Sequence, residues 1–113
     1  MVAVVVEIRA LLVSILFLTD KQMGLSVSPN PAKKYRYTFS DGKHTDFGQK
    51  NAPDYTKTGD KEQRARYLTR HRANENWNNP RSAGALSRHI LWGESTSIQA
   101  NLASFKSKFA GRI

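Results

Sequence analysis

The chain has 113 residues and a mass of 12.7 kDa, which is enough for one domain and excludes a two-domain enzyme. Its 18 lysines and arginines outnumber the acidic residues two to one and give a formal net charge of +9, which predicts nucleic acid, anionic lipid or an acidic protein surface as partner. Cysteine is absent, which excludes disulfide frameworks, zinc knuckles, cysteine nucleophiles and iron–sulfur clusters.

The charge divides the chain into three parts. Residues 1–32 sum to zero, residues 33–50 to +3 and residues 51–113 to +6. Pro29 and Pro31 favour extended backbone before them. We therefore predict an apolar N-terminal arm or membrane anchor at residues 1–22, a linker at 23–32 and a basic α+β module at 33–113.

The N-terminal arm is apolar from residue 2 to residue 18, interrupted only by Glu7, Arg9 and Ser14. As a helix it would reach about 25 Å, slightly less than the hydrocarbon thickness of a bilayer. Three interpretations stay open: a membrane anchor, a cleaved signal peptide, and a segment that packs on a partner subunit or in the core. The residues predicted to contact membrane or partner are Val5, Leu11, Leu12, Ile15, Leu16 and Phe17.

The module begins with a predicted β-hairpin. Tyr35, Tyr37 and Phe39 alternate with polar residues, and an Asp41-Gly42 turn precedes a second β-favouring run. A polar loop follows at residues 48–59.

Three helices are predicted after this loop. Asp60 with Gln63 caps a helix from Lys61 to about Arg72. Ser82 starts a second helix that runs to about Trp92 and ends at Gly93. Thr96 with Gln99 forms a capping box for the third, whose apolar stripe is Ile98, Leu102, Phe105 and Phe109. The fold class is therefore α+β: a small single domain with an N-terminal β-hairpin and three short helices.

The first helix carries the candidate site. Its basic residues, predicted to contact phosphate groups or a protein interface, are Lys61, Arg64, Arg66, Arg70 and Arg72. Alternatively, they form ion pairs with Asp60, Glu62 and Glu75. Tyr67, Trp77 and Trp92 are the predicted aromatic anchors, with both tryptophans expected in the core.

Catalytic or metal chemistry has little support in the sequence. His44, His71 and His89 have no metal-ligand spacing. His71 followed by Asn74 and Asn76 is faintly similar to an HNH nuclease constellation, but a histidine stacked between the helix and Trp77 is the favoured interpretation. No phosphate-loop, dinucleotide or nucleophile-elbow motif occurs, so we predict a protein without enzymatic activity or cofactor.

An ordered string of motifs resembles a family of short basic proteins encoded by large icosahedral double-stranded DNA viruses of algae and protists. The motifs are K-Y-R-Y-T-F (34–39), D-F-G (46–48), D-Y-T (54–56), D-K-E-x-R-x-R-Y-x-x-R-H (60–71), N-E-N-W (74–77), A-G (83–84) and S-R-H-I-L-W (87–92). The resemblance covers residues 33–109, about two thirds of the chain, and the apolar arm lies outside it.

This resemblance implies a virion component, and it offers no catalytic assignment to carry over to this chain. We expect a minor capsid protein on the inner face of the capsid shell, which cements capsomers of the major capsid protein and neighbouring minor capsid proteins. The internal viral membrane is a further expected contact. A virion-packaged DNA-binding protein is the alternative, with nucleic acid bound by the same arginines.

Overall fold

The computed structural model describes residues 24–113, which form a three-stranded antiparallel sheet followed by helices. The strands, in the spatial order β1-β2-β3, are β1 (Leu25–Val27), β2 (Lys33–Thr38) and β3 (His44–Gln49). The helices are α1 (Tyr55–Thr58), α2 (Lys61–Arg72), α3 (Ala83–Leu86), a π-helical segment (Ser87–Leu91) that continues α3, and α4 (Ile98–Lys108). The predicted α+β class is confirmed.

The predicted hairpin is formed by β2 and β3. Tyr35 pairs with Phe47 and Tyr37 with Thr45, and the turn closes with Phe39 N donating to Lys43 O at 2.8 Å. Gly42 has φ +85°, a conformation that glycine adopts without steric cost. The Asp-Gly signal therefore located the turn correctly.

The segment predicted to be a linker contains a strand instead. β1 pairs with β2 through Leu25↔Tyr37 and Val27↔Tyr35, so the sheet begins before Lys33. Pro29 and Pro31 lie in the connection between the two strands, where a missing backbone N–H breaks no ladder hydrogen bond. The prolines mark a turn inside the domain rather than a domain boundary.

The core joins the inner face of the sheet to the later helices. Its fully buried large side chains include Phe39, Phe47, Leu86, Ile90, Phe105 and Phe109. Tyr37 lies edge-on to Phe105 with ring centroids 5.3 Å apart, which connects β2 directly to α4. The predicted apolar stripe of the last helix faces this core, although Ile98 and Leu102 are only partly buried.

The helix boundaries follow the predicted caps with two corrections. Asp60 and Ser82 are N-caps as expected, but α4 is capped by Ser97, whose hydroxyl accepts from Ala100 N, and not by Thr96. Gly93 does not have a positive φ. It is required for space, because a Cβ there would lie 2.5 Å from His89 O and 2.6 Å from the Asn101 side chain.

No helix within residues 24–113 is long and apolar enough to cross a membrane. The predicted apolar arm, with Val5, Leu11, Leu12, Ile15, Leu16 and Phe17, lies outside the described residues. Its interpretation as anchor, signal peptide or packing segment stays a prediction.

Candidate functional site

Helix α2 is built by local signals at both ends. The Asp60 carboxylate accepts from the backbone N–H groups of Glu62 and Gln63, each at 3.0 Å, which satisfies two of the free donors at the helix start. Arg70, His71 and Arg72 fall in the last turn, where positive charge is favourable. The Gln63 half of the predicted capping box does not form, since its side chain accepts from the Thr58 hydroxyl instead.

The outer face of α2 presents four of the five predicted basic residues to solvent. Lys61, Arg66, Arg70 and Arg72 are exposed, and no residue of α2 is buried. The small residues Ala65 and Thr69 lie beside Arg66 and Arg70 on this exposed face. These two small side chains leave open space beside the two arginines.

None of these basic side chains has an acidic partner among residues 24–113. The ion pairs there are Lys34–Asp54, Arg36–Asp46, Arg81–Asp41 and His71–Glu75. Asp60 caps α2, and Glu75 accepts from the Trp77 indole at 3.0 Å. The alternative in which Lys61 and the four arginines of α2 form ion pairs with Asp60, Glu62 or Glu75 is not realised in this part of the chain.

Arg64 differs from the other four because it contacts the protein itself. Its Nε donates to Trp92 O at 3.1 Å and to Gly93 O at 2.9 Å, carbonyls that follow the π-helical segment. Its guanidinium also lies over the Tyr55 ring, 5.6 Å from the centroid. Arg64 was predicted to be an interface residue, but the structure gives it the role of holding α2 to the body.

Three aromatic rings attach α2 to the π-helical segment. Tyr67 stacks on Trp92, with 4.1 Å between the ring centroids and 7° between the planes. His71 also stacks on Tyr67, with 4.1 Å between their centroids. Burial, with a contribution from Glu75, raises the pKa of Tyr67 far above its usual value, so its hydroxyl stays protonated. Trp92 belongs to the core as predicted, being 7% exposed.

Trp77 and His71 depart from the prediction. Trp77 is only half-buried and lies outside the core cluster, with the Arg88 guanidinium 5.2 Å from its ring centroid. His71 stacks on Tyr67 and not on Trp77. The two residues are linked instead through Glu75, which accepts from the indole and lies 3.3 Å from His71 Nδ1.

A cleft of about 440 Å³ lies beside α2 and is bordered by Arg70 of its exposed face. Its walls come from the start of β2, the end of β3, the loop before α1, helix α2 and helix α3. The buried pair Lys34–Asp54 lines it, with Lys34 7% and Asp54 1% exposed. The sequence did not predict this cleft, because two consecutive lysines at the start of a strand, Lys33 and Lys34, ordinarily indicate solvent exposure.

The three histidines are not gathered at one site in the part of the chain that the structure describes. No group of three or more His, Asp or Glu side chains within residues 24–113 is placed to hold a metal ion. His44 is exposed, and His89 Nε2 lies 2.9 Å from Trp77 O. Burial lowers the pKa of His89, which favours its neutral form.

Residues 23–71 match the profile of a family described as a family of unknown function, DUF5754. The match takes in the whole sheet, α1 and all but the last residue of α2, so it contains four of the five predicted basic site residues. No curated protein and no solved structure matches the chain.

Proposed function

We propose that this chain is a structural, non-enzymatic virion component: a minor capsid protein that cements major capsid capsomers and neighbouring minor capsid proteins from the inner side of the shell. The observation that carries the docking role is the exposed face of α2, where four basic side chains have no acidic partner in the described part of the chain. The capsid setting rests on the resemblance of the motif string.

The local geometry of α2 suits docking on an acidic protein surface. Arginine side chains present planar, multidentate donors that pair well with carboxylates at interfaces. Unpaired exposed charges cost little in the free protein because water solvates them. Repetition of the same weak contact across a lattice gives high total avidity, so a single short helix is sufficient for a cement protein.

The second candidate function is a virion-packaged DNA-binding protein. The net charge of +9 falls entirely within the described residues, and guanidinium groups bind phosphates as readily as carboxylates. The same face of α2 would then lie against the genome rather than against capsomers.

The test of both candidates is incorporation of Arg66→Glu/Arg70→Glu into virus particles. We expect the double variant to be reduced several-fold in purified particles, measured by quantitative mass spectrometry. The matched control is Lys106→Glu/Lys108→Glu, which changes the charge equally on exposed positions of α4. Incorporation of the α2 variant at the wild-type level would contradict the docking role.

The location of the wild-type chain separates the two candidates. Disrupted particles are fractionated into shell and genome core, and cryo-electron microscopy is used to find symmetric density beneath the capsomers. We expect the chain in the shell fraction and in that density. Recovery with the genome, in a complex that dissociates between about 50 and 200 mM salt as phosphate contacts do, would favour the DNA-binding role.

A further inference from the structure

The cleft beside α2 shares Arg70 with the docking face, the exposed basic residues Lys61, Arg66, Arg70 and Arg72, but its other walls are different and unusual for a structural protein. It has a volume of about 440 Å³, within the range of small-molecule sites. At its wall lies a charged pair that is more than nine-tenths buried, Lys34–Asp54. Burial of two charges costs several kcal/mol per ion and is a poor route to stability alone.

The carboxylates in the cleft are already engaged. Asp54 Oδ2 accepts from Lys34 Nζ at 2.5 Å, while Oδ1 accepts from the backbone N–H of Thr56 at 2.9 Å and from its hydroxyl. Glu75 accepts from the Trp77 indole and contacts His71. Neither acidic group is left as the main acceptor for a ligand.

Several donors in the cleft are not engaged in the same way. The Lys34 ammonium has three N–H groups and two acceptors, Ala52 O and Asp54 Oδ2. The Gln63 side-chain oxygen accepts from the Thr58 hydroxyl, and its amide N–H₂ group has no acceptor among residues 24–113. Lys33 and Arg70 also line the cleft and form no ion pair within residues 24–113.

From this excess of donors over free acceptors we infer that the cleft binds an oxyanion, of the phosphate or phosphomonoester class. Lys33 on β2 and Arg70 on α2 supply charge from two of the elements that line the cleft, and Lys34 supplies the N–H that is left after its two hydrogen bonds to Ala52 O and Asp54 Oδ2. The Lys34–Asp54 pair then acts as a preorganised support that holds the ammonium in place before the ligand arrives. The site shares Arg70 with the docking face, whereas Lys33 and Lys34 lie outside it, so the two proposals can be tested separately through Lys33.

The test is calorimetric titration of the full chain with inorganic phosphate, adenosine 5′-monophosphate and adenosine at about 0.15 M NaCl, where screening acts beyond about 8 Å. We expect saturable one-to-one binding of phosphate and of the nucleotide, and none of adenosine. Equal affinities for phosphate and nucleotide identify the free ion as ligand, whereas tighter nucleotide binding identifies a larger phosphomonoester. Adenosine binding as tight as that of the nucleotide would overturn the proposal.

The variants Lys33→Gln and Arg70→Gln should each weaken phosphate binding about tenfold, since each removes one charge-assisted hydrogen bond. Lys106→Gln is the matched control, because it removes one exposed positive charge outside the cleft. An equal loss in all three variants would show attraction to the net charge and overturn the site. Because Lys33→Gln leaves α2 intact, it separates this outcome from failure of the docking proposal.

Discussion

At the residue scale, polar side chains inside this small domain connect neighbouring segments through hydrogen bonds. Asn101 is 3% exposed and donates to Ile90 O at 2.9 Å and Ser95 O at 2.7 Å while accepting from Ser95 N. It thereby closes the loop between the π-helical segment and α4. The Asn101 side chain lies against Gly93, where there is no room for a Cβ. The two residues therefore allow only one packing of this loop.

His89 is the residue whose titration should control acid stability. Burial lowers its pKa below the ordinary value of 6.5, and this effect, together with the smaller ones of Arg88 and Lys108, outweighs the hydrogen bond with Trp77 O, which raises the pKa. Its ring packs edge-on against Phe109, with centroids 5.3 Å apart, so the charged form is disfavoured in the folded state.

We expect the melting temperature to fall as the pH decreases below about 6.5, because the unfolded state then binds a proton that the folded state does not. Above this pH the stabilisation is fully present. Thermal unfolding of His89→Gln between pH 5 and 7, above the usual titration of carboxylates, should have a much flatter pH dependence. His44→Gln, at an exposed position, is the control, and a slope equal to wild type in His89→Gln would refute this assignment.

At the element scale, α2 and α4 are attached to the body in different ways. α4 buries Asn101 and Phe105 against the core, whereas α2 buries no residue. α2 is held mainly by the Tyr67–Trp92 stack and the Arg64 hydrogen bonds. Because a helix with few buried contacts opens more easily than the core, α2 is expected to be the least protected long helix.

Tyr67→Ala should release α2 without unfolding the sheet. The lost stack is worth about 0.5–1.5 kcal/mol beyond the buried area, so amide hydrogen exchange in α2 should accelerate about tenfold while β2 and β3 keep their protection. Thr69→Ala, on the exposed face of the same helix, is the control. Uniform acceleration in sheet and helix would mean instead that α2 unfolds only together with the core.

At the scale of the whole molecule, residues 24–113 taken together carry an excess of positive charge, +9. Four carboxylates within residues 24–113 are in ion pairs, and the remaining cations repel one another through the solvent. The docking face and the cleft both belong to this excess. A partner or ligand that supplies negative charge should therefore stabilise the fold as well as bind to it.

Added salt should also stabilise the fold. Raising NaCl from about 0.01 M to about 0.1 M shortens the screening length from about 30 Å to about 10 Å, and we expect the melting temperature to rise by about 2–4 °C, or roughly 0.5 kcal/mol for a domain of this size. Arg66→Glu/Arg70→Glu, which lowers the net charge by four, should respond less. A melting temperature that falls with salt would mean that the ion pairs outweigh the repulsion.

The sequence by itself determined the class of fold and most of the elements, because those signals are local. The Asp41-Gly42 turn, the Asp60 and Ser82 caps and the stripe of the last helix each depend on neighbouring residues only, and each was predicted. The exposed basic face of α2 followed in part from the same local pattern, since the arginines occur in one capped helix.

Only the tertiary structure decided what depends on residues far apart in the chain. Leu25–Val27 forms the strand β1 because it pairs with β2, although its own residues and the following prolines indicate a linker. Arg64 differs from the other arginines because it donates to the carbonyls of residues 92 and 93. Lys34 is buried because it pairs with Asp54, twenty residues away in the chain. Contacts between such distant residues leave no periodic pattern in the sequence. The cleft that they form could therefore be recognised only in the tertiary structure.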